Sequence, residues 1–464
     1  MQNQSENKMG VMPIGKLVLN MSLPMILSML VQAMYNIVDS IYVSRVSEAA
    51  LTAVSLSFPA QNLMIGLATG TAVGVNALLS RALGAGDRDR ANRVAENGVF
   101  LALVGYILFL LFGLFASEAF IAAQTSNAQI IGYGRDYLVV VCCYSFGLYG
   151  QVIFERLMQS TGRTIYTMYT QGIGAIINII LDPVFIFEKG NGIGLFGMGV
   201  KGAAVATVIG QIVAFIIAMV LNHRKNTDIR LKLREFRPDL KMIGRIYAIG
   251  VPSVIMMAIG SVMTFLMNKI LILYTTGKET AATVFGVYFK LNSFAFMPIF
   301  GLNNGVIPII AFNYGAQKRR RMTKAIKVSM CYALGFMLVG TIVFMTIPDV
   351  LLGLFQATDQ MLSIGVPALR IIGSTFLVAG VCIVLGSVFQ SLGFGVYSMI
   401  VSLARQLFVL APAAWILARI GQQSGNDLLV WFSFPVAEIV SAAVTLLLFT
   451  RLYKNVICNV PDNE

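Results

Sequence analysis

The feature that most constrains this chain is a succession of about twelve apolar runs, each 20 to 30 residues long, separated by short polar stretches. They fall near 15–40, 52–79, 94–116, 131–155, 164–187, 199–221, 242–274, 281–312, 325–347, 363–391, 396–418 and 428–452. A bilayer core is crossed by roughly 20 apolar residues in a helix, and it holds no water to satisfy backbone amides. Runs of this length therefore predict membrane-spanning helices, since barrel strands would be about ten residues long with alternating polarity. Composition agrees: 57% of the 464 residues are apolar, 12% are charged, and the mean hydropathy is +0.79. The expected fold class is an all-α polytopic membrane protein with twelve transmembrane helices.

The formal charge of +13 raises the question of nucleic acid, which the placement of the 34 Lys and Arg answers. Assigned to alternate sides of twelve spans, 24 fall on one side and only Arg45, Lys189, Lys201, Lys278 and Arg419 on the other, with five inside spans. That bias predicts cytoplasmic N- and C-termini. The clusters "HRKNTDIRLKLREFR" and "QKRRRMTKAIK" then read as topology signals facing anionic lipid, and no nucleic-acid partner is expected. The first 13 residues lack an apolar core and a cleavage site, so no removable signal is expected. Cys142, Cys143, Cys331, Cys382 and Cys458 show no CxxC spacing, and His223, the only histidine, lies in a basic loop. Neither a disulfide framework, a metal centre of the Cys/His kind nor histidine chemistry inside the membrane is implied.

The chain repeats itself. "LGAGDRDRA" from 83 and "YGAQKRRRM" from 314 match at an offset of 231, aligning Gly84 with Gly315; "MQSTGRTIY" from 158 and "FQSLGFGVY" from 389 match at the same 231. Pro24 and Pro252 open the halves at an offset of 228. Each half holds six spans, an even number, so the repeat is parallel, with two six-helix bundles facing each other across a cleft. The expected organisation is a tail (1–14), an N-lobe (15–221), a linker (222–240), a C-lobe (241–453) and a second tail (454–464), both tails and the linker being cytoplasmic. Paired bundles that can rock about a cleft suit a secondary transporter.

Ionisable groups inside a bilayer cost several kcal/mol by most estimates and mark function by default. In the first span Gln32, Tyr35, Asn36 and Asp39 share a helix face at i, i+3, i+4 and i+7. In "NIILDPVFIF" Asn178 and Asp182 stand one turn apart, extending Gln171 along one face, and in the sixth span Thr207 and Gln211 are four residues apart. At the 231 offset Asn178 and Asp182 become Val409 and Ala413, so the acid pair exists in one copy only. Carboxylates among amide and hydroxyl oxygens suit Na⁺, which wants hard ligands, or H⁺, which wants a desolvated carboxyl. The residues leave the choice open.

"YNIVDSIYVSR", "SRALGAGD", "NIILDPVFIF", "GAAVAT" and "NNGVIPIIAFNYGA", in this order along nearly the whole chain, resemble the multidrug and toxic compound extrusion (MATE) family. The resemblance implies a two-lobed exporter of cationic and amphipathic organic compounds, driven by inward Na⁺ or H⁺. It also implies a cation site, possible for Na⁺, at Asp39, Asn178 and Asp182, with Thr207 and the neighbouring Asn36 contributing, and a hinge at Pro24, where the first span bends. The chain departs from the family at "FERLMQSTG": Glu155 and Arg156 replace neutral residues, forming either a local ion pair or, through Glu155, part of the cation pathway. Gln32, Tyr35, Gln171, Gln211, Glu155, Asn303, Arg405 and Glu438 are the candidates for the substrate cleft. Glu438 either contacts a cationic substrate or neutralises Arg405 or Lys290.

Other function classes fit less well. The GxGxxG at Gly192, Gly194 and Gly197 lies in a loop between membrane helices without the strand a dinucleotide fold needs, and no GxxxxGK pattern supplies a P-loop. An intramembrane enzyme would need DDxxD, HExxH or a similar constellation, and none is present. A flippase for lipid-linked oligosaccharide, from a related superfamily with the same two-bundle plan, is the alternative; it would line its cleft with cations, whereas this N-lobe is acidic. The expected partners are small organic cations and the lipid bilayer, the expected state a monomer, and the only small inorganic species called for is the coupling ion, Na⁺ or H⁺.

Overall fold

The computed structural model describes residues 7–188, 194–232, 236–355 and 357–462. Among the described residues the chain is helical, and its one β pairing is an isolated bridge between Lys318 and Asp462. The long helices of the first half are α1 (Ile14–Ser44), α2 (Glu48–Gly84), α3 (Arg88–Phe115), α4 (Ala128–Cys143), α5 (Phe146–Ser160), α6 (Thr164–Ile186) and α7 (Val200–Lys225). The second half contributes α8 (Leu240–Tyr274), α9 (Lys278–Gly315), α10 (Arg319–Thr346), α11 (Asp359–Gly373), α12 (Phe376–Ser391), α13 (Gly395–Leu403), α14 (Ala411–Ser424) and α15 (Ser433–Leu452). Ten helices are long and apolar enough to cross a membrane, or up to twelve when two bent pairs each count as one span.

Those bent pairs correct the expectation of continuous spans at 131–155 and 363–391. The α4–α5 pair bends by 44° and α11–α12 by 49°. At each break a hydroxyl captures a carbonyl that a continuous helix would have used: Ser145 Oγ donates to Cys142 O at 2.8 Å, and Thr375 Oγ1 to Ile372 O at 2.7 Å. The helices α4 and α11 begin 231 residues apart, at Ala128 and Asp359, and Gly162 and Gly393, also 231 apart, both have positive φ. The duplication is thus visible in the backbone as well as in the words that revealed it.

Two apolar cores follow the two halves, with an exchange at one end. The start of α1 (Ile14, Leu17, Val18, Met21) belongs to the C-lobe core, and the start of α8 (Met242, Ile246, Ile249) to the N-lobe core. The lobes meet through α1 and α2 against α8 and α9. At the end where Met9 and Cys458 pack against α9 and α10, the lobes cross without room for a side chain: a Cβ on Gly84 would lie 1.9 Å from Phe312 O, and one on Gly315 would lie 2.0 Å from Arg81 O. Each glycine meets the backbone three residues before the other, so the repeat builds the crossing twice. Gly84 and Gly315, matched first as letters, are the point where the copies touch.

The N-terminal segment packs over this same end. Met9 is fully buried; its carbonyl accepts from Asn313 Nδ2 and Arg321 Nη2, both at 3.2 Å, while Asn7 Nδ2 donates to Thr161 O across the N-lobe. Lys8 donates to Asn20 Oδ1 at 2.7 Å, and burial together with the Arg163 guanidinium pulls its ammonium below the usual lysine range. Lys189 and Gly192 lie outside the described residues, as do parts of both expected tails (1–6 and 463–464) and of the linker (233–235).

Candidate functional site

The N-lobe cavity is built where α6 and α7 come together. Gly174 and Gly210 face each other's carbonyls, and a Cβ on Gly210 would lie 2.7 Å from Gly174 O, so small residues let the two backbones close. One turn further along, that closeness puts Asn178 of α6 within reach of Thr207 of α7: Asn178 Nδ2 donates to Thr207 Oγ1 at 3.3 Å and to Asp182 Oδ1 at 3.2 Å. The i, i+4 spacing read in "NIILDPVFIF" therefore does bring amide and carboxylate together. Asp182 is fully buried and Asn178 nearly so. The facing α1, which packs along α6, carries Asp39, one of whose carboxylate oxygens is also buried.

What distinguishes this region is its surplus of acceptors. Asp39 Oδ1, Asp182 Oδ2, Asn178 Oδ1, Gln171 Oε1 and Gln211 Oε1 are all buried and none has a donor among the described residues. Buried polar atoms are paired in the great majority of proteins, and unpaired oxygens on two acids and three amides call for a positive guest. Two carboxylates with amide and hydroxyl oxygens are hard donors of the kind that hold a small cation or a proton. No group of three or more His, Cys, Asp or Glu occurs among the described residues, so the arrangement is unlike a transition-metal centre. Asn178, Asp182 and Thr207, joined by hydrogen bonds, and Asp39 offer hard oxygens of the kind that Na⁺ would take.

A cavity of about 150 Å³ opens beside this cluster. It is lined by Gln32 and Tyr35 of α1, Glu155 and Arg156 of α5, and further by Gln171, Asn178, Thr207 and Gln211. Glu155 is buried at its wall and accepts from Thr170 Oγ1 at 2.7 Å, Gln171 Nε2 at 2.7 Å and Gln151 Nε2 at 3.0 Å. The expected local ion pair with Arg156 is not formed, because consecutive residues point about 100° apart around a helix. Arg156 instead reaches Gln159 Oε1 at 2.8 Å and, across the lobes, Asn304 Oδ1 of α9 at 2.9 Å. Asn304, adjacent to the candidate Asn303, carries no mark in the sequence, because its bond to Arg156 depends on how the lobes pack.

The remaining candidates are dispersed. Asn36 lies on α1 one residue from Tyr35 and does not line the cavity. Asn303 donates weakly to Ile383 O at 3.4 Å and lines neither this cavity nor that of the C-lobe. Arg405 and Glu438 pair with each other at 3.0 Å in the C-lobe, away from the acid pair, so of the alternatives for Glu438 the structure shows neutralisation of Arg405. Pro24 lies within α1, which is helical on both sides of it, and its carbonyl accepts from Ser28 Oγ at 2.9 Å.

Two facing bundles of duplicated sequence, with polar groups gathered in the wall of one lobe, define the class as a multi-pass membrane transporter. The MatE family model matches residues 24–184 and 252–416, once per lobe, and the chain belongs to the MATE family. Similar curated proteins include the multidrug export protein MepA of Staphylococcus saprophyticus, 25% identical over 436 residues (94% of this chain, 93% of that protein), and MepA of Staphylococcus haemolyticus, 26% identical over 440 residues (95% and 94%). Among solved structures, a MATE protein in complex with MaL6 superposes with a TM-score of 0.90 at 23% identity, over 98% of this chain and all of that one. An outward-facing multidrug resistance MATE family transporter of the MOP superfamily does so with 0.89 at 24%, over 99% and all. These likenesses show the fold.

Proposed function

We propose that this protein is a cation-coupled exporter of amphipathic organic cations, working by alternating access between its lobes. The observation that carries this reading is the set of donorless oxygens around Asp39, Asn178 and Asp182, in a chain whose similar curated relatives are named as multidrug export proteins. Na⁺ or H⁺ entering from outside down its gradient quiets the two acids; the gradient supplies the energy, and the ion's different affinity for the two states of the lobes couples it to transport. Asn178 holds one oxygen of Asp182 toward Thr207, so the ion meets a site already shaped. Pro24 removes one backbone bond of α1, giving the helix a place to repack when the charge near Asp39 changes.

The substrate enters the adjoining N-lobe cavity in this account. Three donors fix the Glu155 carboxylate there without neutralising it, which suits it to meet the positive charge of an organic cation. Met25, Met29, Tyr35 and Ile65 supply the adaptable apolar walls. The basic end, closed by the Gly84 and Gly315 crossing, is assigned to the cytoplasm by the charge bias of the loops, so the lobes are closed inward. The acidic N-lobe disfavours the alternative of a flippase for pyrophosphate-linked lipids.

The test is transport in proteoliposomes holding an ethidium-like dye, with a Na⁺ gradient or a pH gradient imposed alone. One of the two gradients should drive dye movement, and both Asp39→Asn and Asp182→Asn should abolish it. Undiminished movement in both variants overturns the reading.

A further inference from the structure

The C-lobe carries the structural counterpart of the N-lobe cavity, and its chemistry is of another kind. The register between them is fixed by a shared contact: Thr167 Oγ1 donates to Glu155 O in the N-lobe, and Ser398 Oγ, 231 residues on, donates to Gly386 O, the equivalent carbonyl. At this register Ile65 and Thr69 of the first cavity become Phe296 and Phe300 of the second, Gly174 becomes Arg405, and Thr207 becomes Glu438. The second cavity measures about 330 Å³, against about 150 Å³. It is within the range of small-molecule sites.

Its polar groups form a matched set. Arg405 Nη1 meets Glu438 Oε1 at 3.0 Å, and among the described residues the guanidinium makes its hydrogen bond through that atom alone, leaving an edge of N–H donors. Glu438 Oε2 and Asn292 Oδ1, also lining the cavity, are buried acceptors without a donor. Arg405 stands in a π-helical segment, residues 404–410, an uncommon backbone that recurs at functional sites. Around these groups the wall is aromatic: Phe434 packs edge-on to Tyr288, and Phe376 edge-on to Phe296.

We propose that this cavity is a second ligand site, which takes an aromatic α-amino acid or a derivative with both head groups free. Donors on Arg405 take the carboxylate; Glu438 Oε2 and Asn292 Oδ1 take the ammonium; the ring lies among the aromatic side chains. The head must carry both charges, one carbon apart, because the protein's own two charges are in contact. A carboxylate alone leaves the two acceptors unmet, and an ammonium alone leaves the arginine edge unmet. The site stands apart from the ion-coupling reading of the N-lobe, and so does its test.

Binding of tritiated phenylalanine to the purified full chain is measured by scintillation proximity, with phenethylamine, 3-phenylpropanoate and phenylalanine methyl ester as competitors. Saturable binding is expected, with each competitor weaker than unlabelled phenylalanine by about tenfold or more, the cost of one charge-assisted contact. Arg405→Gln and Glu438→Gln should weaken binding to a similar degree, while Glu118→Gln, at an exposed position outside both cavities, should bind as the native chain does. The competitor series uses the native chain alone and stands even if a variant fails to fold. Absence of saturable binding, phenethylamine competing as well as phenylalanine, or Arg405→Gln binding as tightly as the native chain would each overturn the proposal.

Discussion

The two lobes share one frame, down to broken spans and glycine crossings at the same register, yet their cavities have diverged in charge. The N-lobe cavity has Glu155 and Arg156 in its wall without a pair between them, Arg156 bonding Gln159 and Asn304 instead, and Asp182 lies buried beside it; the C-lobe cavity holds an Arg405–Glu438 pair among aromatic rings. Where Asn178 and Asp182 stand in one copy, Val409 and Ala413 stand in the other. Elements that only pack helices have been kept in both halves, such as the hydroxyls of Thr167 and Ser398 that tie neighbouring helices together. The acids have not, and packing therefore does not explain them. Under the proposed function, the ion-coupling site belongs to the N-lobe.

The largest effect should come from removing that asymmetry. Asp182→Asn leaves the volume of the side chain unchanged and removes a charge the site is built around; gradient-driven efflux should fall to the level of empty liposomes while the melting temperature is held or raised, because a buried uncompensated charge is lost. Next in size is Glu155→Gln, expected to raise the KM for a cationic dye by about tenfold through loss of one charge-assisted contact, and to leave a neutral amphipath unaffected. If the two dyes respond alike, Glu155 is not the anchor for the substrate's charge.

Smaller effects are expected where the lobes touch. Gly315→Ala forces a methyl group against the Arg81 carbonyl and should cost about 1–3 kcal/mol of the closed crossing. A cysteine placed at the buried Ser22 should then react faster with a polar maleimide from the basic end. Smallest is the Arg156–Asn304 bond: a double-mutant cycle on thermal stability with Arg156→Ala and Asn304→Ala should give a coupling of about 0.5–3 kcal/mol, and additive losses would show that the bond does not tie the lobes.

Much of this was legible in the sequence because it rests on long-range regularities. Apolar runs of membrane length, a repeat of 231 and an i, i+4 pair inside lipid each follow from helix geometry without knowledge of neighbours. The breaks at Tyr144 and at Ser374 were not legible, since no proline or glycine marks the first; only the paired hydroxyls Ser145 and Thr375, each bonding back three residues, give it away. The π-helical turn that carries Arg405 also has no local signature. Glu155 and Arg156 invited pairing as adjacent opposite charges, but adjacency in a helix separates side chains, and their partners come from one turn away on α5, from α6 and from the other lobe. Partner choice across lobes depends on packing, which one strand of letters does not contain.

The most direct measurement is equilibrium uptake of the coupling ion by the purified chain, followed with radioactive sodium and, in parallel, with a pH indicator for protons. Saturable uptake of one monovalent cation per chain is expected, lost in Asp39→Asn and in Asp182→Asn alike. Uptake that survives either substitution unchanged would contradict the assignment of a single shared site to the N-lobe.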